Sequence, residues 1–204
     1  SSSIAGGARC PWLRAGVGAV SSQNITLPAL GPQILDGLAA GSAPAQALDH
    51  ALTRNGYSQY RQVAVIDAHG RTALFSGSQA LGTHHALAGE QCVAAGNLLA
   101  DPGVIEAMVV AFEQSEGCLA ARLLSALQAG QAAGGEAGAV HSAALSVVED
   151  LTWPIVDLRV DWADEDPIGQ LAELWRAYQP QLQDYLTRAL NPTLAPSYGV
   201  PGDE

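Results

Sequence analysis

The sequence predicts an α+β protein arranged as a four-layer αββα sandwich with mostly antiparallel sheets. Three observations predict this architecture. Apolar residues form 48% of the 204-residue chain and charged residues only 14%, which is typical of buried strands or a large subunit interface. Apolar stripes with helical spacing come in two adjacent pairs. Short strand-like runs lie between and after these pairs, so we expect sheets inside and helices outside.

The first half of the chain predicts one strand, two helices and a hairpin. Residues 15–22 alternate small residues with Val and predict a strand. Two short helices are expected at residues 29–40 and 44–54, because each places its Leu and Ile residues on one face. Residues 60–67 and 71–76 are β-rich runs around a short loop that contains a glycine, and this pattern predicts a hairpin.

The second half alternates helical and strand patterns. The expected elements are a polar loop at 77–89, a strand at 91–95, helices at 102–114 and 118–133, a flexible loop at 132–138, and strands at 143–148 and 155–160. A last helix begins at Asp166-Pro167, and Pro180 is expected to kink it. We therefore expect residues 1–190 to form a single domain and residues 191–204 to form a loose, Pro-rich tail.

The charge balance excludes several classes of partner and mechanism. All nine basic residues are Arg, and the formal net charge is −11. A chain this acidic repels nucleic acid and anionic membrane surfaces, so neither is expected as a partner. The absence of Lys also removes Schiff-base chemistry and every Lys general base. The odd number of widely spaced cysteines (Cys10, Cys92 and Cys118) predicts a reduced, cytoplasmic protein.

Standard catalytic and cofactor motifs are missing from the sequence. There is no phosphate-binding loop and no GxSxG nucleophile elbow, and Gly16-Val17-Gly18 lacks the third glycine of a dinucleotide fingerprint. His84 and His85 are adjacent, so their side chains diverge and make a poor metal pair. We expect no cofactor and no metal. A metal-dependent hydrolase that uses these two histidines with His141 is the least favoured alternative.

Neutral amides near strand ends are the most promising polar groups. Gln23 and Asn24 end one expected strand, and Asn97 lies just past another. Such amides can donate to an oxyanion without titrating, although ordinary turn capping is the simpler role for each. The charged run from Asp157 to Asp161, with Arg159 between them on the same strand face, favours structural salt bridging over catalysis.

Several blocks of sequence, in order, are similar to an uncharacterised bacterial family with the fold of the N-terminal-nucleophile hydrolases. The similarity extends to about Leu186, and several blocks together are more specific than any one alone. The blocks are residues 11–20 with Gln23, 31–41, 61–71, 96–99, 116–124, 129–135 and 156–161. Members of that family tend to carry Arg-Gln-Ser where this chain has Val140-His141-Ser142, so a role for that Arg has no counterpart here.

The resemblance implies the same four-layer sandwich and, more loosely, a reaction class. In N-terminal-nucleophile hydrolases the first residue attacks an amide carbonyl, and its own α-amine acts as the base. A mechanism whose base is the α-amine suits a chain without Lys. Members of the family begin with a further hairpin that carries a Thr or Ser near its start. Either that hairpin is absent here, which we favour because Ser1-Ser2-Ser3 lacks a lead-in strand, or cleavage has produced Ser1 as a new terminus.

Two functions from different classes are therefore carried forward. The leading hypothesis is an amidohydrolase of the N-terminal-nucleophile type that acts on a small amide or acylated metabolite. Its nucleophile is Ser1 or an upstream Thr or Ser, Asn24 or Asn97 holds the oxyanion, and Arg14 and Gln23 bind the substrate. The alternative is a non-catalytic scaffold of the same fold that forms homo-oligomers or binds a small ligand, since Ala- and Leu-rich helices can pack against copies of themselves.

Overall fold

The computed structural model describes residues 1–202 and contains a four-stranded antiparallel sheet in its N-terminal half. Its strands lie in chain order and are β1 (Pro11–Arg14), β2 (Gly18–Asn24), β3 (Arg61–Asp67) and β4 (Thr72–Ser76). We call it the main sheet. The expected hairpin is confirmed as β3 and β4. The single strand expected at residues 15–22 is wrong in its bounds, because Gly16 adopts a left-handed φ of 67° and turns the chain between β1 and β2.

Two helices cover one face of the main sheet, as expected. They are α1 (Leu30–Ala39) and α2 (Pro44–Arg54). Val63 and Val65 of β3 are fully buried in the same apolar cluster as Ile34 and Leu48 of these helices. Close approach of α1 to β1 requires Gly31, because a Cβ there would lie 2.1 Å from ring carbons of Trp12.

The opposite face of the main sheet meets a second hairpin, formed by β5 (His85–Gly89) and β6 (Cys92–Gly96). Helices α3 (Gly103–Gln114) and α4 (Leu119–Ala132) pack together, and α3 contacts this hairpin. The expectation of a loop throughout residues 77–89 is wrong, because β5 lies within it. The sequence of β5 is too short to be distinguished from the loop around it. Its strand character comes from pairing with β6, from His85 opposite Gly96 to Gly89 opposite Cys92.

A third antiparallel pair, β7 (Ala143–Val147) and β8 (Val156–Val160), packs against α4 and the last long helix. That helix is α5 (Pro167–Tyr178), and the Asp166 carboxylate caps it by accepting the Gly169 N–H at 2.9 Å. Pro180 interrupts the helical axis as expected, since a short 3₁₀ turn separates α5 from α6 (Leu182–Leu190). Beyond α6 the chain makes one 3₁₀ turn at Pro192–Leu194. Part of the expected tail, residues 203–204, lies outside the described residues.

Two further features bear on the sequence-based expectations. Arg159 and Asp161 form the expected ion pair, with 3.3 Å between Nε and Oδ1. None of the helices within residues 1–202 is long and apolar enough to cross a membrane.

The elements described above make the architecture mixed α/β with small antiparallel sheets.

Candidate functional site

Ser1 is joined to the start of β7 by a reciprocal backbone pair. Its α-amine donates to the Ser142 carbonyl oxygen at 2.8 Å, and the Ser142 N–H donates to the Ser1 carbonyl oxygen at 2.9 Å. The His141 N–H donates to the same Ser1 oxygen, also at 2.9 Å. Two residues that exchange both bonds in this way are arranged as in an antiparallel ladder. Ser1 is thus held as if it were a residue of a strand beside β7.

The side chain of Ser142 also holds the N-terminal segment through hydrogen bonds to its backbone. It is 1% exposed, donates to the Ser3 carbonyl oxygen at 2.7 Å, and accepts the Gly6 N–H at 3.3 Å. The Ser1 hydroxyl, by contrast, belongs to a side chain that is 47% exposed and accepts the Ser3 N–H at 3.2 Å. A substrate can therefore reach this hydroxyl, while the backbone around it is fixed.

Glu136 supplies the negative charge beside Ser1. Its Oε1 atom lies 3.6 Å from the α-amine nitrogen, and its two oxygens accept the Ser2 N–H at 3.2 and 3.1 Å. In the segment predicted as a loop at 132–138, Glu136 pairs with Leu99 and the Ala137 N–H donates to the Leu98 carbonyl oxygen at 2.7 Å. The sequence analysis missed Glu136.

The environment of the α-amine favours its neutral form. Burial lowers the pKa of the Ser1 α-amine below its ordinary value of 8.0, and the Glu136 charge and hydrogen bond offset only part of this effect. A neutral amine can accept a proton, so it can act as a general base. Ser1 therefore combines an accessible hydroxyl with an amine of lowered basicity in one residue.

Two of the predicted amides, Gln23 and Asn97, are partly buried and form hydrogen bonds between the main sheet and the end of β6. Gln23 donates to the Ala95 carbonyl oxygen at 2.9 Å, and Asn97 donates to the Gln62 side-chain oxygen at 3.2 Å. Gln62 lies opposite Gln23 in the β2–β3 register and is fully buried. It donates to the Gly96 and His85 carbonyl oxygens at 3.0 and 3.2 Å and to the Ser76 hydroxyl at 3.1 Å. These amides join the main sheet to the β5–β6 hairpin.

The other two predicted side chains form other contacts. Asn24 has a left-handed φ of 70°, donates to the Tyr60 carbonyl oxygen at 2.6 Å and accepts the Leu81 N–H at 3.2 Å, so it caps a turn. Arg14 forms an ion pair with Asp36 at 2.7 Å, and both side chains are largely exposed. The structure therefore brings together Gln23 and Asn97 at β6, whereas Asn24 caps a turn and Arg14 is paired with Asp36.

The histidines considered for a metal centre do not meet. His84 contacts the Gly82 carbonyl oxygen at 3.2 Å, and His85 lies 3.3 Å from a Glu106 oxygen. His141 stacks on Trp162 with ring centroids 4.3 Å apart, and its Nδ1 lies 2.8 Å from the Ala163 carbonyl oxygen. Across the part of the chain that the structure describes, no three His, Cys, Asp or Glu side chains converge as metal ligands would.

A cavity of about 710 Å³ lies between the main sheet, β6, β7 and the helices α3 and α4. Arg14 and Gln23, predicted to bind substrate, both line it. Most of the lining is apolar and includes Ala64, Ile66, Leu123 and Leu127. Residues 144–148, at β7 and just beyond its end, line it without interruption, whereas Ser1 and Ser142 are not among its lining residues.

Fold and site together define a mixed α/β protein in which Ser1 is fixed at the start of a short antiparallel pair. The chain belongs to the family of unknown function DUF1028, whose model matches residues 1–171. This confirms the membership in an uncharacterised family that the sequence blocks predict.

A solved structure supports the same membership. The chain is similar to a DUF1028-family protein from the bacterium Silicibacter pomeroyi, for which there is a crystal structure. The two are 31% identical, with a TM-score of 0.84, and the match covers 91% of this chain and 80% of that chain. No curated protein is significantly similar in sequence.

Proposed function

We propose that this protein is an amidohydrolase of the N-terminal-nucleophile type that acts on a small amide or acylated metabolite, and that cleavage before Ser1 makes Ser1 its N-terminal nucleophile. The observation that carries the proposal is the pairing, in Ser1, of an accessible hydroxyl with an α-amine whose pKa burial lowers. The amine lies near Glu136 and is hydrogen-bonded to Ser142, so its position is defined before a substrate arrives.

The layered architecture of N-terminal-nucleophile hydrolases is part of this proposal. It is supported by the two helix pairs: α1 and α2 cover one face of the main sheet, while α3 and α4 pack beyond the hairpins on its other face. The β5–β6 and β7–β8 hairpins would then be parts of the second sheet layer. The sequence similarity of the blocks supports the same assignment.

The proposed reaction transfers an acyl group to Ser1 and then to water. Ser1 Oγ attacks the substrate carbonyl carbon while the hydroxyl proton moves to the α-amine. The C–N bond breaks, the leaving nitrogen takes this proton, and an ester to Ser1 remains. Water attacks the ester, the α-amine takes a proton from the water and returns it to Oγ, and the carboxylic acid departs.

Asn97 is the amide that we assign to the oxyanion in this mechanism. Its side chain carries two N–H bonds, and one of them donates to Gln62. It lies two residues from Leu99, which pairs with Glu136 beside Ser1. Asn24 is less suitable, because both its donor and its acceptor take part in a turn. Arg14 and Gln23 line the cavity and would contact the acyl group.

Covalent labelling tests the nucleophile directly. We expect a serine-reactive fluorophosphonate to add once per chain, and peptide mapping to locate the adduct on Ser1. The matched control is the same protein with one additional residue before Ser1, because it keeps the hydroxyl and removes the free α-amine of Ser1. Labelling of both forms to the same extent, or of another residue, would contradict the assignment.

The pH dependence of hydrolysis provides a second prediction. The α-amine must be neutral to act as a base, so kcat/KM should rise with pH to a plateau, with its midpoint below 8.0. Glu136→Gln removes the negative charge that raises this pKa, but it keeps an oxygen to accept the Ser2 N–H. The midpoint should therefore move to lower pH in this variant.

The measurement is a pH–rate profile for the wild type and two variants. Glu116→Gln is the matched control, because Glu116 is exposed in the α3–α4 connection. Its profile should overlay that of the wild type. An upward shift of the midpoint in Glu136→Gln, or equal shifts in both variants, would show that the titrating base is not the α-amine.

A non-catalytic scaffold is the second candidate, and the apolar cavity is the observation that favours it. Under this hypothesis the cavity binds a small apolar ligand, and the protein hydrolyses no amide. A ligand at 100 times its Kd stabilises the folded state by about 2.7 kcal/mol. A metabolite that raises the Tm while leaving Ser1 unlabelled would therefore favour the scaffold, and light scattering would show whether it forms homo-oligomers.

The cellular setting is also a proposal. Cys10, Cys92 and Cys118 all carry free thiols. Burial raises the pKa values of the Cys10 and Cys92 thiols, which keeps both thiols protonated and weakly reactive. This supports a reducing, cytoplasmic compartment.

A further inference from the structure

We propose that the outer edge of β4 is an interface at which two copies of this chain join their main sheets across a two-fold axis through Leu74. The inference goes beyond the proposed hydrolysis and does not depend on it. Three observations carry it. Within residues 1–202, the outer edge of β4 has no strand partner. This edge lacks the residues that usually protect such an edge, and exposed apolar side chains continue from one of its ends.

Alternate residues of β4 direct their backbone groups to opposite sides of the strand. The two residues that flank it, Arg71 and Gly77, form backbone hydrogen bonds to β3 at 2.9 and 2.8 Å. Counting by twos from these residues places the N–H and C=O groups of Thr72, Leu74 and Ser76 on the outer side. Within residues 1–202, no backbone segment other than β3 hydrogen-bonds to the backbone of β4, so this outer side is unpaired.

The outer edge of β4 lacks the features that usually protect a free strand edge. Such edges are commonly blocked by charged side chains, proline or bulges. The opposite edge strand of the main sheet, β1, begins with Pro11 and ends with Arg14, and β8 carries Asp157 and Arg159. By contrast, β4 contains no charge and no proline and pairs with β3 without a bulge. In a chain with a net charge of −11, a second copy can therefore approach this strand without like-charge repulsion along it.

The positions of the outward backbone groups make this edge complementary to itself. Two antiparallel copies of β4 with a two-fold axis at Leu74 place Leu74 opposite the partner's Leu74, and Thr72 opposite the partner's Ser76. All three outward residues then lie in hydrogen-bonded pairs, which gives about six main-chain hydrogen bonds. An interface of this kind uses the same surface of both copies and closes at two subunits. We therefore assign the edge to a second copy of this chain.

Exposed apolar side chains extend the interface beyond the Ser76 end of β4. The loop after β4 is joined to the turn before β3, because the Gln79 N–H donates to the Gln59 carbonyl oxygen at 2.8 Å. In that turn Tyr57 is 71% exposed, and in that loop Leu81 is 44% exposed. Exposed apolar side chains that occur together mark interaction surfaces, and aromatic residues are enriched at subunit interfaces. Burial of these side chains against the partner would add to the strand pairing.

Charge substitutions at the two-fold axis test both the edge and its register. In Leu74→Lys the two introduced ammonium groups lie opposite each other, and in Leu74→Glu two carboxylates do. Each variant alone should raise the dimer dissociation constant by at least about 100-fold, because like charges meet across the interface. An equimolar mixture should restore the dissociation constant to within about tenfold of the wild type, since opposite charges then meet. A variant that merely fails to fold would not be rescued by mixing.

Sedimentation equilibrium over a range of micromolar concentrations measures these dissociation constants. The wild type should have twice the mass of one chain. Leu174→Lys is the matched control, because Leu174 is 41% exposed on α5, which packs against β7 and β8. Its dissociation constant should stay within about twofold of the wild type. A wild-type monomer at every concentration, equal effects of the two lysine substitutions, or a mixture of folded Leu74 variants that stays monomeric would each overturn the proposal.

Hydrogen exchange on the wild type locates the interface without any substitution. The Thr72, Leu74 and Ser76 amides should exchange more slowly as the protein concentration rises through the dissociation constant. The Leu13 amide, in β1 at the opposite edge of the main sheet, should exchange at the same rate throughout. Fast exchange of the three β4 amides in a dimer would place the interface elsewhere. Slow exchange of these amides in a monomer would show that a foreign strand or another segment of the chain covers the edge. Either result would overturn the proposal.

Discussion

Replacing Ser1 with alanine is expected to lower kcat for amide hydrolysis by at least about 1,000-fold, because it removes the proposed nucleophile while leaving the α-amine in place. The backbone bonds between Ser1 and Ser142 do not involve the side chain, so the local structure should persist. The lost side-chain contact is the hydrogen bond from the Ser3 N–H, which is exposed and weak. Stability should therefore change little.

Ser2→Ala is the matched control for this prediction. Ser2 is the next residue and contacts Glu136 only through its backbone N–H, so its hydroxyl has no role in the proposed mechanism. Activity of this variant should remain within about twofold of the wild type, as for most surface substitutions. Retention of more than a tenth of the activity by Ser1→Ala would remove Ser1 as the nucleophile.

Replacing Gln62 with leucine is expected to destabilise the fold by about 3 kcal/mol, which is the largest structural effect we predict. Leucine has a similar size, so the loss is one of hydrogen bonds. Gln62 donates to the Gly96 and His85 carbonyl oxygens and accepts from Asn97. Leucine removes the hydrogen-bond partner of these partly buried groups, and a buried polar group left unpaired costs about 1–3 kcal/mol.

Urea unfolding followed by circular dichroism measures this effect. Gln33→Leu is a suitable control, because Gln33 on α1 accepts one hydrogen bond, from the Asn55 side chain at the surface. It should cost less than about 1 kcal/mol. Gln62→Leu should also weaken hydrolysis, since Asn97 depends on Gln62 for its position. Equal stability of the two variants would contradict a joining role for Gln62.

Local sequence patterns predicted most elements well, and the exceptions have physical causes. The apolar stripe of α2 predicts the helix, and the turn residues between two β-rich runs predict the β3–β4 hairpin. Both signals lie within a few neighbouring positions. The strand β5 escaped prediction because its pairing with β6 is what makes it a strand. Residues 15–22 were expected as one strand because small residues tolerate both strand and turn, and only the left-handed backbone at Gly16 separates β1 from β2.

The candidate site was harder to predict than the fold. Gln23 and Asn97 were identified by residue type and position near strand ends, which are local properties, and Ser1 was identified through the resemblance to the N-terminal-nucleophile hydrolases. Glu136 was not, because a lone Glu in a Gly-rich segment carries no periodic signal. It becomes informative only when pairing with Leu99 brings it within 3.6 Å of the α-amine.

The sequence by itself determined the composition of the chain, its acidity, its lack of Lys and the helical and strand character of most segments. Family membership could also be predicted from the sequence, since the matching blocks are stretches of adjacent residues. Tertiary structure alone decided that Asn24 caps a turn, that Arg14 pairs with Asp36, that Gln62 joins two sheets, and that Ser1 is paired with Ser142. The reason is physical: these contacts join residues as many as 141 positions apart, and no pattern confined to neighbouring residues encodes such a separation.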